Sequence, residues 1–376
     1  MKITATKKTL TTALSRIQGI VEKSSIKPII SNALIKAHKD GISVSATNLQ
    51  LGMRATYKDV KVEKEGSVSL NAKKLYEIVK ELPEGEITLT EKENYWIEIT
   101  CGKDLKFNII GLPPEDFPVF IKEEEKGFVE WKTEKIIEMI YLTSFSISRD
   151  EANPSINGAF IENIEGNKTR MVSTDGYRLS IVDEELERNK LLDDGLLIPQ
   201  KAVLELNRIL MEKREEKSLF VMATANSLLI KIAEVEFSIR LIDKKFPDYK
   251  VIVPGEANKK IEAHIEKDKL RSALKRMSII SNENNRPVVF SFKKNEVEIF
   301  TEDSDLGNVK EVLELKETIS EAFKFCINCS YLLDIINVLE EDILVEFNAE
   351  EENKPIIVKT ISRNNIKYII MPMLMD

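Results

Sequence analysis

The chain has 376 residues, and its 43% hydrophobic content is enough for a core in more than one domain. A formal net charge of -8 argues, by itself, against a nucleic-acid partner, because such proteins are usually basic. No apolar run approaches the ~18 residues of a membrane span, and Met1 to Thr4 alternates like a strand. We therefore expect no membrane partner. Cys101, Cys326 and Cys329 predict no disulfide framework, which favours the cytoplasm.

The first part of the chain predicts a strand, a helix and a hairpin. Lys2 to Thr6 alternates as a strand, and Lys7 to Val21 carries apolar residues at helical spacing. Asn32 to Ala37 and Ile42 to Ala46 then predict a hairpin around a Lys-Asp-Gly turn. Similar alternation of helices and strands continues along the chain, which predicts an α+β fold with antiparallel sheets.

A pattern of strand, polar break and amphipathic helix occurs three times. It covers Ser67 to Leu82, Leu196 to Leu210 and Phe325 to Leu339. The copies are roughly 125 residues apart, which is the length of a whole domain and longer than a solenoid repeat. The sequence therefore predicts three similar domains at residues 1–125, 126–254 and 255–376, each with two helices packed on sheets.

Basic residues are concentrated in the predicted helices, while acidic runs lie in turns and linkers. Lys267 to Arg276, for example, holds five basic residues against one acid, Asp268. If the helices line one surface, that surface would attract phosphate backbones without reading bases. The alternative is that Lys and Arg are ordinary helix formers on solvated faces, and charge alone does not decide between the two.

No pattern typical of a catalytic, metal or cofactor site occurs. The two histidines, His38 and His264, lie in or beside predicted strands, and no P-loop, dinucleotide fingerprint or nucleophile elbow is present. Cys326 and Cys329 have CxxC spacing without a second pair or nearby His, which favours a structural role. We expect no catalytic residues, no metal and no cofactor.

Several phrases resemble the bacterial sliding clamps, the β subunits of DNA polymerase III. They are Ser31-Asn32-Ala33-Leu34, Ala46-Thr47-Asn48-Leu49, Ser173-Thr174-Asp175-Gly176-Tyr177-Arg178-Leu179, Phe246-Pro247-Asp248-Tyr249 and the terminal Met371-Pro372-Met373. They occur in order over the whole chain. The resemblance implies a head-to-tail homodimer that closes into a ring, with helices lining a hole for double-stranded DNA. It also implies a non-enzymatic processivity factor that binds the replicative polymerase, the clamp loader and other clamp-motif proteins.

By the same resemblance, residues can be assigned to three surfaces. The residues expected to face DNA are Lys23, Lys27, Lys73, Lys74, Arg149 and Lys201. The residues expected to form an apolar pocket for partner peptides are Thr174, Gly176, Tyr177, Arg178, Leu179, Pro247, Asn328, Tyr331, Ile369, Ile370, Met371, Pro372 and Met373. The apolar contacts between the two subunits are expected at Phe107, Ile109, Ile279 and Ile280.

Three positions near the pocket differ from some members of that family. They are Val251, Asn285 and Leu374, and they leave the preferred peptide motif open.

Two other functions stay open at this point. One is a three-domain scaffold that binds peptides but not DNA, and the other is a hydrolase that uses acidic residues such as Asp150 and Asp175. The scaffold would be favoured if the basic helix faces did not converge on one surface, and the hydrolase would be favoured by robust metal-dependent activity in pure protein.

Overall fold

The computed structural model describes residues 1–22, 27–118, 127–253, 260–281, 285–348 and 354–374. The chain divides into two compact units. Unit 1 consists of Met1–Glu134, Asn189–Leu191 and Leu204–Leu241, and unit 2 consists of Lys135–Arg188, Leu192–Val203 and Ile242–Asp376. Both predicted domain boundaries, at 125/126 and 254/255, lie outside the described residues, so the three-domain division stays a prediction.

The first part of the chain contains two helices and nine strands among its described residues. The helices are α1 (Lys7–Ile17) and α2 (Ala72–Glu81), and the strands are β1 (Lys2–Thr6), β2 (Asn32–His38), β3 (Gly41–Thr47), β4 (Leu51–Tyr57), β5 (Val60–Lys64), β6 (Gly66–Asn71), β7 (Glu86–Glu91), β8 (Trp96–Cys101) and β9 (Leu105–Ile110). The predicted first strand and the first hairpin are thereby confirmed.

Helix α1 ends earlier than the sequence predicts. The prediction extended it to Val21, but it ends at Ile17. Glycine is a poor helix former, and Gly19 follows shortly after this end. The guanidinium of Arg208 donates to the carbonyl of Arg16, which satisfies one of the acceptors that a helix end leaves open. The apolar spacing up to Val21 therefore did not mark the end of the helix.

The middle part contains two helices and eight strands in its described residues. The helices are α3 (Thr133–Thr143) and α4 (Gln200–Glu212), and the strands are β10 (Val129–Lys132), β11 (Gly158–Ile164), β12 (Lys168–Thr174), β13 (Arg178–Glu185), β14 (Leu196–Pro199), β15 (Ser218–Ala223), β16 (Ser227–Ile232) and β17 (Val235–Arg240). The chain passes between the two units within α3 and within α4.

The last part contains a further two helices and eight strands where it is described. The helices are α5 (Lys267–Ile280) and α6 (Cys329–Val338), and the strands are β18 (Lys260–Ile265), β19 (Pro287–Lys293), β20 (Glu296–Asp303), β21 (Gly307–Glu314), β22 (Phe323–Asn328), β23 (Ile343–Asn348), β24 (Ile356–Thr360) and β25 (Ile366–Ile370). Apolar residues at helical spacing from Lys267 to Ile280 predict helix α5 with these bounds, so this prediction is confirmed.

Unit 1 holds a five-stranded and an eight-stranded sheet. Their strand orders are β5-β1-β7-β8-β9 and β10-β15-β16-β17-β4-β3-β2-β6. The pairing of β17 with β4, which places Phe237 opposite Met53, continues the second sheet from the first third of the chain into the middle third. Helices α1 and α2 pack against each other in this unit, and Leu10, Leu14 and Leu75 are buried.

Unit 2 repeats this arrangement with an eight-stranded and a four-stranded sheet. Their strand orders are β14-β11-β12-β13-β25-β24-β23-β18 and β21-β20-β19-β22. Here β13 pairs with β25, so that Arg178 lies opposite Ile370. Helices α5 and α6 pack together, and Leu270, Leu274 and Ile335 are buried. The β13–β25 pairing brings the last strand beside the Thr174 to Leu179 segment.

Candidate functional site

The loop between β12 and β13 is a tight, hydrogen-bonded hairpin of three residues, Asp175 to Tyr177. The hydroxyl of Thr174 accepts from the Gly176 N–H at 3.0 Å and donates to the Arg178 carbonyl at 2.6 Å. The carboxylate of Asp175 accepts from the N–H groups of Tyr177 and Arg178, both at 3.1 Å. Gly176 has φ +93°, a conformation that glycine adopts without strain. The loop is thereby held rigid.

Arg178 lies under this loop and is only 9% exposed. It donates to Asp175 at 3.0 Å, to Asp334 of α6 at 2.7 Å and to the carbonyl of Phe145 at 2.9 Å. A buried guanidinium requires such partners, because an unpaired charge in the interior costs several kcal/mol. Arg178 therefore joins the loop, α6 and the segment after α3.

Aromatic rings extend this arrangement to the surface. The guanidinium of Arg178 lies 4.7 Å from the ring centre of Tyr331, and the Tyr331 ring stacks on that of Tyr177 with centres 6.3 Å apart and planes at 17°. Tyr177 is 63% exposed. Burial raises the pKa of the Tyr331 phenol, and the Asp175 carboxylate raises it further, so this phenol stays neutral. The stack offers an amphipathic face for a ligand.

An apolar floor lies next to the loop. We use this name for a cluster of buried side chains together with three that pack against it, namely Ile156, Val172, Leu179, Ile181, Leu197, Phe246, Tyr249 and Ile369, with Phe160, Ile242 and Val253. The rings of Phe160 and Phe246 stack with centres 5.0 Å apart. Pro247, directly after Phe246, is exposed. Two of the predicted pocket residues, Leu179 and Ile369, are thus part of one continuous floor.

The C-terminal segment closes the other side of the site. Ile370 is fully buried in β25, and the Met371 N–H donates to the Tyr177 carbonyl at 2.9 Å. Pro372 follows, and the Met373 N–H donates to the Cys326 carbonyl of β22 at 2.8 Å. Two backbone hydrogen bonds thus hold the segment from Met371 to Met373, one to the hairpin loop and one to β22. Met371 is 37% exposed.

Asn328, one of the predicted pocket residues, has a structural role. Its side-chain oxygen accepts from the Ser330 N–H at 2.9 Å and caps α6. This cap sets where α6 begins, and Tyr331 lies in the first turn. All of these contacts lie within unit 2.

Sequence reasoning did not identify Phe145 and Asp334 as members of this site. Asp334 lies three residues after Tyr331 in α6, which places both on one face of the helix. That spacing could have indicated Asp334 as the partner of Arg178. Phe145 contributes its ring, 5.2 Å from Arg178, besides its carbonyl, and no local signal in the sequence indicates it.

The residues predicted to face DNA belong to different elements of the chain. Lys73 and Lys74 are exposed in the first turn of α2, where their ammonium groups lie 3.9 and 2.9 Å from the carboxylate of Glu77. A hydrogen bond from Lys74 lowers the pKa of Glu77, so the carboxylate stays charged and offsets part of the positive field. Lys27 is exposed in unit 1. Lys23 lies outside the described residues.

Arg149 and Lys201 belong to unit 2. Arg149 is exposed in the segment between α3 and β11, and Lys201 is exposed in the first turn of α4. Among the residues that the structure describes, no ion pair is found for either side chain. Their charges are therefore available to a polyanion.

The basic residues of α5 are largely paired with carboxylates. Lys269 contacts Glu266 at 2.8 Å, and Arg271 contacts Asp268 at 2.8 Å. Arg276 makes two hydrogen bonds to Glu311, at 2.5 and 2.8 Å. The net field of this helix is thus weaker than its count of cations suggests.

The predicted seam residues lie in an edge strand of unit 1 and at the end of a helix in unit 2. Phe107 and Ile109 are in β9, the last strand of the five-stranded sheet in unit 1, and Phe107 is 37% exposed. Ile279 and Ile280 end α5 in unit 2, where Ile279 is 72% exposed. Ile109 and Ile280 are only partly exposed. The assignment of these four residues to a contact between subunits stays a prediction.

The remaining chemical groups have structural surroundings. Burial raises the thiol pKa values of Cys326 and Cys329, which makes both thiols poor nucleophiles. The described ranges contain no group of three or more His, Cys, Asp or Glu side chains that could hold a metal ion. In the same ranges, no helix is both long enough and apolar enough to cross a bilayer.

Comparison with known proteins gives matches over the whole chain. Three sequence profiles match, described as the N-terminal, central and C-terminal domains of the DNA polymerase III beta subunit, at residues 1–121, 130–248 and 250–374. The beta sliding clamp of Haemophilus influenzae is 27% identical over 373 residues, which cover 99% of this chain and 100% of the relative. That of Caulobacter vibrioides is 28% identical over 377 residues, at 99% and 100% coverage.

Solved structures agree with these matches. The C. crescentus beta sliding clamp, solved with PEG bound, has a TM-score of 0.92 and 27% identity. A sliding clamp from Bartonella birtlesii, bound to griselimycin, has a TM-score of 0.92 and 28% identity. Both alignments cover 100% of each chain. Since the matched family consists of clamps, the comparison favours neither the scaffold nor the hydrolase. The chain belongs to the DNA polymerase III beta subunit family, the sliding clamps, which are non-catalytic processivity factors of DNA replication.

Proposed function

We propose that two copies of this chain close head to tail into a ring around double-stranded DNA. Each copy contributes three domains, at residues 1–125, 126–254 and 255–376. The observation that carries this proposal is that two of the edge strands, β9 in unit 1 and β21 in unit 2, have exposed apolar side chains beside them: Phe107 in β9, and Ile279 in helix α5, which contacts β21. An uncovered edge strand with large apolar neighbours favours pairing with another chain.

The ring holds DNA by enclosure and by a weak phosphate attraction, independent of base sequence. The body is acidic, at -8 overall. Lys73 and Lys74 share their charge with Glu77, while Arg149 and Lys201 are exposed and have no ion pair among the described residues. Few uncompensated phosphate contacts give a low affinity and a shallow salt dependence, and a weakly held ring can slide.

The site around Tyr177 takes short linear peptides from the replicative polymerase, the clamp loader and other clamp-motif proteins. Its apolar floor, rigid loop and few polar anchors are typical of a peptide-binding groove. The backbone hydrogen bonds of Met371 and Met373 keep the C-terminal segment at its border. We infer that the protein acts in the cytoplasm, because the proposed partners act there on chromosomal DNA.

The test of this proposal combines particle mass with retention on DNA. Scattering coupled to size-exclusion chromatography gives a mass of about 86 kDa, twice the 42.9 kDa of one chain, with a pair-distance curve that has a central hole. After loading by a clamp loader, the protein stays on nicked circular DNA and leaves the same DNA once it is linearised. A monomeric particle, or equal loss from both DNA forms, contradicts the ring.

A further inference from the structure

Three apolar side chains next to the candidate peptide site are exposed. Val251 is 80% exposed, Ile252 is 42% exposed and Leu374 is 83% exposed. Single exposed apolar residues are common on protein surfaces and need no explanation. These three differ because they are attached to the site: Val251 and Ile252 lie between Tyr249 and Val253 of the apolar floor, and Leu374 directly follows Met373. We call Val251, Ile252 and Leu374 the apolar rim.

The first part of the apolar rim is firmly attached to the apolar floor. Tyr249 is 3% exposed within the floor, and Val253 packs against the same cluster. Between them, the N–H groups of Ile252 and Val253 donate to the Tyr249 carbonyl at 3.0 and 3.1 Å. Val251 and Ile252 are thus held at the edge of the floor by buried residues on both sides, so a ligand would meet them at a defined position.

The second part of the apolar rim ends the C-terminal segment. Met373 is bonded to Cys326 of β22 at 2.8 Å, and Leu374 follows it directly. The leucine therefore lies where the segment reaches β22, whereas Val251 and Ile252 follow Tyr249 of the floor. A peptide that fills the site between the floor and β22 would have the apolar rim near both of its ends.

Polar groups at the site are largely engaged with one another. Arg178 is paired with Asp175 and Asp334, and Tyr249 donates to Glu162, which also contacts Lys250 at 3.4 Å. The exposed cations that stay available next to the floor are Lys244 and Lys245, just before Phe246. An acidic peptide could use Lys244 and Lys245, whereas an apolar one could cover the whole rim.

We propose that the apolar rim selects peptides with apolar residues on both sides of the segment that fills the floor. This inference rests on the proposed peptide-binding function and specifies its partner class. Contact with the apolar rim would remove Val251 and Leu374 from water, which is the main source of affinity in apolar grooves. Acidic or small polar flanks would leave the rim exposed and gain nothing from it.

The experiment uses three synthetic peptides that share one central apolar anchor. Their flanks carry leucine, serine or aspartate on both sides, and binding to the full chain is measured by fluorescence anisotropy at two salt concentrations. We expect the leucine-flanked peptide to bind about tenfold more tightly than the serine-flanked one, as partial burial of two aliphatic side chains at the edge of the site predicts. That difference should not depend on salt.

Two sets of variants assign the preference to the apolar rim. In the double variant Val251→Ser, Leu374→Ser, the leucine-flanked and serine-flanked peptides should bind with equal affinity. Ile361→Ser is the matched control, because Ile361 is 55% exposed in unit 2 and outside the site. It should keep the tenfold preference. Unchanged thermal midpoints of all variants show that the fold is intact, as expected for exposed positions.

The possible outcomes separate this inference from the proposed function. If the unmodified chain binds all three peptides equally, the proposed selectivity of the apolar rim is overturned, but the proposed peptide binding is not. If the aspartate-flanked peptide binds most tightly and its affinity falls at high salt, the inference is overturned, and Lys244 and Lys245 determine the preference instead. A preference that survives in the double variant also overturns it. If no peptide binds, the proposed function fails together with the inference.

Discussion

Arg178 shows how one side chain can organise a binding site without facing the ligand. Its guanidinium is almost fully covered and donates three hydrogen bonds, two to carboxylates and one to a backbone carbonyl. The ring of Tyr331 lies on it, and the ring of Tyr177 lies on Tyr331. The outermost ring, which a peptide would touch, is therefore positioned through contacts that begin in the interior.

Replacement of Arg178 tests this arrangement. Arg178→Met should reduce the free energy of unfolding by about 2 kcal/mol, because it removes the cation that neutralises the Asp175 carboxylate in a half-buried position. It should also weaken peptide binding, since Tyr331 loses its support. Urea unfolding and anisotropy measure the two effects. Arg178→Lys is the control, because it keeps the charge but not the planar fork.

The two readouts distinguish a positioning role from a purely structural one. If Arg178→Lys restores stability but not peptide affinity, the fork geometry positions Tyr331 as described. Full peptide affinity in Arg178→Met would contradict that role.

At the scale of secondary-structure elements, a buried ion cluster joins α1 to α4 and to the turn between β16 and β17. Arg16 is 4% exposed and donates to Glu212 at 2.9 Å, to Glu234 at 2.8 Å and to the Tyr57 hydroxyl at 3.0 Å. Burial alone would raise the pKa of Glu234. Hydrogen bonds from Lys213 and Arg16 outweigh burial and lower this pKa below its usual 4.5.

This cluster predicts a pH-dependent contribution to stability. A carboxyl group whose pKa is lowered by folding stabilises the fold above its unfolded pKa, and this contribution is lost as the pH falls through the folded pKa. Arg16→Met should therefore lower the free energy of unfolding by about 3 kcal/mol at neutral pH. The difference should shrink as the pH falls below about 4.5, where Glu234 becomes neutral in the unfolded chain.

Urea unfolding of both proteins between neutral and acidic pH measures this. A difference that stays constant over the whole range would show that Arg16 acts through packing and not through its ion pairs. Arg54→Met is a suitable comparison, because Arg54 pairs with Glu236 in the same unit but is 38% exposed. It should change stability by less than about 1 kcal/mol.

The elements themselves could be predicted from the sequence to a useful extent. Helix α5 and the β2–β3 hairpin follow from local spacing and turn residues, which depend only on neighbouring positions. The pairing of β4 with β17, and of β13 with β25, could not be predicted this way. Strand pairing over such distances depends on tertiary packing, for which a local pattern carries no signal.

The candidate site shows the same limit. The residues of the Thr174 to Leu179 hairpin and of the C-terminal segment were identified through the resemblance to a family, because their phrases are distinctive. Asp334 and Phe145 were missed, because their role depends on where α6 and the segment after α3 pack. Whether the assigned residues bind peptide or DNA stays a prediction for the experiments above.

At the scale of the whole molecule, the seam decides whether a ring can form. Phe107→Asp or Ile279→Asp should convert the particle from about 86 kDa, twice the chain mass, to 42.9 kDa. A charge in an apolar interface lacks a partner and costs several kcal/mol. Light scattering after size exclusion measures the mass, and Phe220→Asp is the control, since Phe220 is 45% exposed in β15 of unit 1. A dimer that persists in both seam variants contradicts the proposed interface.

The C-terminal segment allows the ring and the peptide site to be separated. Truncation after Ile370 keeps β25 but removes both backbone bonds of Met371 and Met373. Peptide binding should be lost, while the mass stays at that of the dimer. Truncation after Leu374 is the control and should bind as the full chain does. Unchanged affinity after the first truncation would place the peptide site elsewhere.

The pairing of Arg178 with Ile370 also has a consequence during synthesis. β13 leaves the ribosome long before β25, so one of its two edges has no partner strand until β25 has been made. Until then β13 pairs with β12 alone, and its other edge stays open to wrong partners. The peptide site can therefore assemble only after residue 370 has left the ribosomal tunnel, so nascent clamps are unable to recruit partners.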